Sequence, residues 1–204
     1  MQTFTIVSYY TINTPYHEVA HTYLMPSLLK LNLKSGIRAV NNMGSWMNNT
    51  AFKPKFLLSM LETHGDIVFV DCDAEVLKYP VLFDTIPQEF NIACHWLDRE
   101  AQYGRIYPEG QKVELLTGTL WLRNCDATKS ILKEWTDRVF AAKIWEQKVL
   151  QKIVLEKKID TYHLPIEYCW IKTLPNGNVP LVKPTGDIYI QHNQVSRKYK
   201  ALIK

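Results

Sequence analysis

The residues 66–75, DIVFVDCDAE, place two carboxylates directly behind four apolar side chains, Ile67, Val68, Phe69 and Val70. The apolar run reads as a buried strand, and in an extended chain alternate residues share a face, so Asp71 and Asp73 are expected to point together with Cys72 pointing back. Like charges that close repel each other. A hard divalent cation, Mg²⁺ or Mn²⁺, would relieve the repulsion and could bridge to phosphates of a substrate. A surface turn with two solvated acids is the competing reading, and the buried strand ahead of the pair weighs against it.

Other residues could complete such a site. Lys53 and Lys55 lie in the first turn of an expected helix, where cations oppose the macrodipole and a bound anion would remove the conflict. His192 stands where a β-run meets a basic segment, and Arg197 and Lys198 behind it could hold a diphosphate. Thr117, Gly118 and Thr119 interrupt an apolar strand, which marks either a bulge or a close approach of a ligand to the backbone. Among the tryptophans, Trp96 and Trp46 flank polar loops and could offer a platform to a sugar or a base.

The elements that must position these groups follow from periodicity. Residues 4–10 form a strand, and 16–32 carry apolar residues at helical spacing with Pro26 as an expected kink. A short strand at 37–40 and a loop at 41–50 precede a helix over 54–64, which Gly65 ends. Strands are expected at 66–71, 90–96 and 114–123, with 98–112 as a surface loop. Helices follow at 126–142, capped by Asp126, and at 145–157, then short β pieces near 160–163 and 187–191. This order predicts an α/β fold: one domain over residues 1–204, a mostly parallel, mixed central sheet flanked by helices. Ligands of such sheets gather at the carboxyl ends of the strands, where Asp71 and Asp73 fall.

Composition bounds the reading. The chain has 204 residues, 47% of them hydrophobic, enough for a substantial core. Neither a long apolar run nor a secretory leader is apparent, so the expected compartment is cytoplasmic, in a bacterial cell or a phage-infected host, with no integral membrane association. The four cysteines form no CxxC pair, which argues against a zinc or redox motif. The net charge of +4, partly in the tail SRKYKALIK, suits a phosphate-bearing ligand or a nucleic acid, and a solvated basic end equally.

Together these pieces resemble the GT-A class of nucleotide-diphospho-sugar transferases, in particular small single-domain glycosyltransferases of bacteria and phages. The matching segments are SYYTINTPY, GSWMNNTAFKPKFLLSML, DIVFVDCDAEVLKYPVLFD, LLTGTLWLRN, WEQKVLQ, LPIEYCWI and QHNQVSRKYK, in the family's order along nearly the whole chain. The resemblance implies a DxD motif in which Asp71 and Asp73 bind the metal, Asp71 also meeting the donor, with His192 as a further ligand. Lys55 is implied near the donor nucleotide or its phosphates, Ser8, Tyr9 and Thr11 near the base, and Arg197 and Lys198 over the diphosphate; Lys53 joins the nucleotide-sugar candidates from its place at the helix start. Trp96, Thr117, Gly118 and Thr119 are expected in the sugar and acceptor pocket. The family's usual Trp-Asp-Gln reads WEQ here, so Glu146 carries its carboxylate one methylene further out, and Gln147 matches.

The activity this implies is metal-dependent transfer of a sugar from a nucleoside-diphosphate sugar, with UDP favoured, to a hydroxyl of a glycan, a protein or a hydroxylated base in phage DNA. An inverting reaction requires a general base, for which Asp98 is the candidate; a retaining one, which the late histidine favours, would use Glu146 or Gln147 to steady the oxocarbenium-like centre. Two rivals are a nucleotidyltransferase, although no Walker-type Gly-rich loop is found, and a non-catalytic nucleotide-sugar-binding module of the same fold.

Overall fold

The computed structural model describes residues 2–142, 144–174 and 177–203. Its main sheet contains β1 (Thr5–Thr11), β2 (Ser35–Val40), β3 (Ile67–Val70), β5 (Ile92–Asp98), β6 (Val113–Leu122) and β7 (Tyr162–His163), in the order β2-β1-β3-β6-β5-β7. β1 pairs in parallel with β2 and β3, and β5 with β7. Only β6 is reversed, antiparallel to both β3 and β5. The expected mostly parallel sheet is therefore mixed at its centre.

Both faces of this sheet are buried. On β3, Ile67 and Phe69 join one core with Phe56, Leu57, Trp135 and Leu150, while Val68 and Val70 join a second with Leu24, Leu28, Phe83 and Trp121. The first core lies under α4 (Lys53–His64), α6 (Asp126–Ala142) and α7 (Glu146–Glu156), and the second under α1 (Pro15–Thr22) and α2 (Leu24–Lys30). The alternation explains why the strand reads as an unbroken apolar run rather than an alternating one.

Several local expectations are corrected. The helix pair breaks at Tyr23, not at Pro26, which sits in the first turn of α2 where its missing N–H costs nothing. The expected loop 41–50 contains most of α3 (Trp46–Ala51), capped by Ser45, whose side chain accepts from the Asn48 amide at 3.1 Å. The expected loop 98–112 contains α5 (Arg99–Tyr103), opened by Asp98 and closed by Gly104 at φ +65°. Both helices carry ordinary cap signals, but each is too short to show an apolar period.

A second sheet of three short strands, β4 (Ala74–Val76), β9 (Ile190–His192) and β8 (Trp170–Ile171), begins one residue after Asp73. β4 is antiparallel to β9 with Ala74 opposite His192. That register carries the far end of the chain to the paired aspartates.

Candidate active site

Asp71 and Asp73 share a site for a reason other than strand alternation. β3 ends at Val70, and the Ala74 amide donates to the Asp71 carbonyl at 2.9 Å, closing a turn over 71–74. The turn, not the pleat, gathers both carboxylates, and it also brings Cys72 to the cavity wall instead of turning it back. Burial, reinforced by the two aspartates, holds the Cys72 thiol well above its usual range, so it stays neutral.

Asp71, Asp73 and His192 each offer one ligand atom within 4.8 Å of the others. His192 is buried, its Nε2 is 2.8 Å from the Thr119 hydroxyl, and its Nδ1 is 3.8 Å from Asp73 Oδ1. The other Asp73 oxygen accepts from the Val195 amide at 2.9 Å. Burial opposes a charge on His192, but Asp73 and Cys169 outweigh it and raise the pKa to about 10. A cation at this site competes with that proton. For Asp71, burial is the largest influence and raises the pKa, aided by Asp73 and opposed by Lys53; its side chain is still 42% accessible, so solvent weakens the effect. Two oxygens and one imidazole nitrogen suit Mn²⁺ or Mg²⁺ with ligand positions left for phosphate.

Gly118 makes room for this cluster. A Cβ there would lie 3.1 Å from His192 Cε1 and 3.2 Å from Asp71 Oδ2. The β5–β6 register jumps here: Cys94 opposes Leu120 and His95 opposes Leu116, leaving Thr117, Gly118 and Thr119 without partners on β5. The bulge and the close approach, alternatives in the sequence, are one feature.

Beside the triad lies a buried ionic network. Lys53 Nζ is 2.7 Å from Glu146 Oε1 and 3.2 Å from Asp71 Oδ1, and it donates to the Thr117 hydroxyl and carbonyl at 3.2 and 3.3 Å. Burial works against its charge, but Asp71 and Glu146 prevail and raise its pKa. Glu146 is 1% exposed, and its second oxygen, Oε2, has no hydrogen-bond partner. Gln147 Oε1 accepts from the Thr117 amide at 3.2 Å while its Nε2 donates to Glu114 at 2.9 Å, which fixes the orientation of the amide. The Trp135 indole donates to the Glu146 carbonyl at 2.9 Å and pins the start of α7.

These groups line a cavity of about 540 Å³ at the carboxyl ends of β1 and β3. Tyr9, Thr11, Lys53, Asp71, Asp73, Thr117, Gly118, Glu146, Gln147, His192 and Arg197 all face it. The remaining sequence candidates lie elsewhere. Lys55 is exposed on the outer side of α4, because it is two residues on from the buried Lys53. Ser8 is wholly buried in β1, and Thr119 reaches the site only through its bond to His192. Trp96 packs on the core with its indole bonded to Thr161, and Lys198 is exposed over the Tyr199 ring. Asp98 is exposed and caps α5 by accepting from the Ala101 amide at 2.9 Å, so it does not face the cavity as a base would. Sequence reasoning did not single out Tyr16, Glu114, Trp145, Cys169 and Lys200, which line the cavity from five separate stretches of chain.

A family model for nucleotide-diphospho-sugar transferases matches residues 18–179. The chain belongs to that family. It is therefore a glycosyltransferase that draws its sugar from a nucleotide-diphospho-sugar, which sets aside the nucleotidyltransferase and non-catalytic readings. No curated protein sequence matches the chain. Among solved structures, a glycosyltransferase involved in the glycosylation of the major capsid of PBCV-1 superimposes with a TM-score of 0.65 at 13% identity, covering 95% of this chain and 96% of that one. The apo WbbM bifunctional glycosyltransferase gives 0.62 at 14% identity, with this chain spanning 45% of its length. Apo mouse xyloside xylosyltransferase 1 gives 0.56 at 12% identity over 95% and 98% of the two chains. At these identities the likeness establishes the fold. No helix among the described residues is long and apolar enough to cross a membrane.

Proposed function

We propose that this glycosyltransferase is metal-dependent, that Asp71, Asp73 and His192 hold Mn²⁺ or Mg²⁺, and that its donor is a UDP-sugar transferred with retention. The observation that carries the metal assignment is the triad within 4.8 Å, assembled by the Ala74–His192 register and given space by Gly118. The bound ion would neutralise charge on the departing diphosphate. Arg197, on the cavity wall, adds a second cation for the same oxygens.

The sugar is read by the buried network. Glu146 Oε2 is a polar atom shut away from water without a hydrogen bond, a cost of about 1–3 kcal/mol that a ligand hydroxyl would cancel. Lys53 holds Glu146 in place through its 2.7 Å contact with Oε1. Gln147, held at both ends of its amide, presents an oriented dipole to the anomeric centre with no reorganisation needed during reaction.

Retention is supported by the carboxylate inventory. Inversion needs an unengaged base beside the acceptor hydroxyl. Of the acids lining the cavity, Asp71 and Asp73 belong to the triad, Glu114 holds Gln147 and Lys148, and Glu146, 1% exposed with Oε1 on Lys53, is assigned to the transferred sugar. The acceptor is a hydroxyl compound, for which glycan, protein and modified DNA are the classes to be tested.

The reading is tested by thermal denaturation with nucleoside diphosphates and their sugars, each with and without Mn²⁺, since a ligand selective for the native state raises apparent stability by about 2.7 kcal/mol at a hundredfold excess over Kd. A UDP-sugar is expected to shift the midpoint only with the metal. Equal shifts without metal would overturn the metal assignment, and a shift confined to another nucleotide would overturn UDP.

A further inference from the structure

At the cavity rim two indole rings face each other. Trp46, the first residue of α3, and Trp145, the residue before α7, have ring centroids 6.0 Å apart at 52°, forming an open V. Trp145 is 38% exposed and the neighbouring Met47 also 38%, although both line the cavity. Large apolar side chains left partly open at the mouth of a pocket forgo part of the stabilisation that full burial would give. Lys200 stands over the Trp46 ring at 5.7 Å, the outer range of a cation–π contact, and closes a third side with a hydrogen-bond donor.

We infer that this notch is the acceptor subsite and that the acceptor is a carbohydrate whose pyranose ring stacks on Trp145 against Trp46. The inference rests on the glycosyl-transfer reading of the same cavity. Three features favour a sugar over a DNA base or a peptide. Trp145 is bonded directly to Glu146, so a ring resting on it lies beside the buried network assigned to the transferred sugar. The V offers two indole faces, with Lys200 over one of them and the Thr50 side chain lining the same cavity, which matches a pyranose with its C–H face on the indole and hydroxyls at the edge. The rim lacks the track of several cations that a nucleic-acid backbone requires: of the described residues lining the cavity, Lys53 is consumed by Asp71 and Glu146, leaving Arg197 and Lys200. Trp145 is also well anchored, since its carbonyl accepts from the Lys148 amide at 3.0 Å and the next residue is pinned by Trp135.

The test titrates the full chain, saturated with UDP and Mn²⁺, with methyl pyranosides and di- and trisaccharides, alongside a hydroxymethylated oligonucleotide and a Ser/Thr-rich peptide, following tryptophan emission. At least one saccharide is expected to quench or shift the emission saturably. Trp145→Ala should weaken that saccharide about tenfold, equivalent to about 1.4 kcal/mol, and Trp145→Phe should restore most of the affinity. The Kd for UDP with Mn²⁺, measured by calorimetry, should move less than about twofold in both variants. A saturable response to the oligonucleotide or the peptide alone, or to no probe, overturns the inference. So does a tenfold loss of UDP affinity in Trp145→Ala, which would place the base of the donor in the notch. If UDP with Mn²⁺ fails to bind the unaltered protein, it is the donor assignment that falls, a result the notch variants cannot produce.

Discussion

Two ionic networks in this protein use the same chemistry under opposite conditions. On the surface, Glu134, Arg138, Glu156 and Lys157 tie α6 to α7 through contacts of 2.5–3.0 Å, with side chains 24–53% exposed. In the cavity, Lys53 meets Glu146 and Asp71 at 2.7 and 3.2 Å, with Lys53 and Glu146 nearly inaccessible. The surface network is shorter on average and contributes less, because water and salt screen it and long side chains must be ordered to form it. The buried one has lost its hydration and depends on every partner being present. A fold seeking stability alone could fill that space with apolar side chains. The cavity network instead leaves Glu146 Oε2 buried without a hydrogen-bond partner.

Removing the central cation tests this contrast most severely. Lys53→Met is expected to destabilise the protein by about 3–5 kcal/mol in urea denaturation, since two carboxylates lose their buried partner. Sugar transfer should fall by at least about a hundredfold with the loss of this preorganised charge. Adding Glu146→Leu should recover much of the stability and none of the activity. Recovery of both would make the network a packing device.

Asp73→Asn divides the metal from the fold. Metal-dependent nucleotide binding is expected to vanish in calorimetry while the circular dichroism spectrum is kept, because an amide still accepts from the Val195 amide but is a poor ligand for a hard cation. Unfolding would instead mean that Asp73 serves only the second sheet. A milder change, Glu146→Asp, withdraws the carboxylate by one methylene from its 2.7 Å contact with Lys53. It should lower kcat by about ten- to a hundredfold through misplacement, with KM for the donor less affected; a rise in kcat would show that the longer side chain is the less suitable one here.

The smallest effect belongs to the surface. Arg138→Ala should leave transfer rates unchanged and barely move the denaturation midpoint, and 1 M NaCl should erase what difference there is. A large loss of activity in this variant would break the comparison, because it would couple an exposed network on the far side of α7 to the site.

Much of the architecture was legible because it depends on patterns the chain carries locally. The apolar run of β3, the first-turn Pro54 and terminating Gly65 of α4 and the stripe on α6 each reveal themselves within a dozen residues. The paired aspartates stood out by chemistry, and His192 by the resemblance. Elements of two to six residues, such as α3, α5, β4 and β8, were not legible, since a period needs more turns to appear than they have. Lys53 and Lys55 share the start of one helix, and the resemblance favoured Lys55. A helix carries residues two apart to different faces, and only packing against Phe69, which Lys53 approaches at 4.8 Å, decided which lysine entered the site.

The sequence by itself determined the fold class and the carboxylate pair beyond a buried strand, because side-chain chemistry and local periodicity need no partner to be read. The tertiary structure alone decided that the aspartates converge through a turn, that the Ala74–His192 pairing joins two ends of the chain, that Asp98 caps a helix, and that Trp145 opens onto the rim. Each of these depends on contacts between residues far apart in sequence, and such contacts are set by the packing of whole elements rather than by the residues that make them.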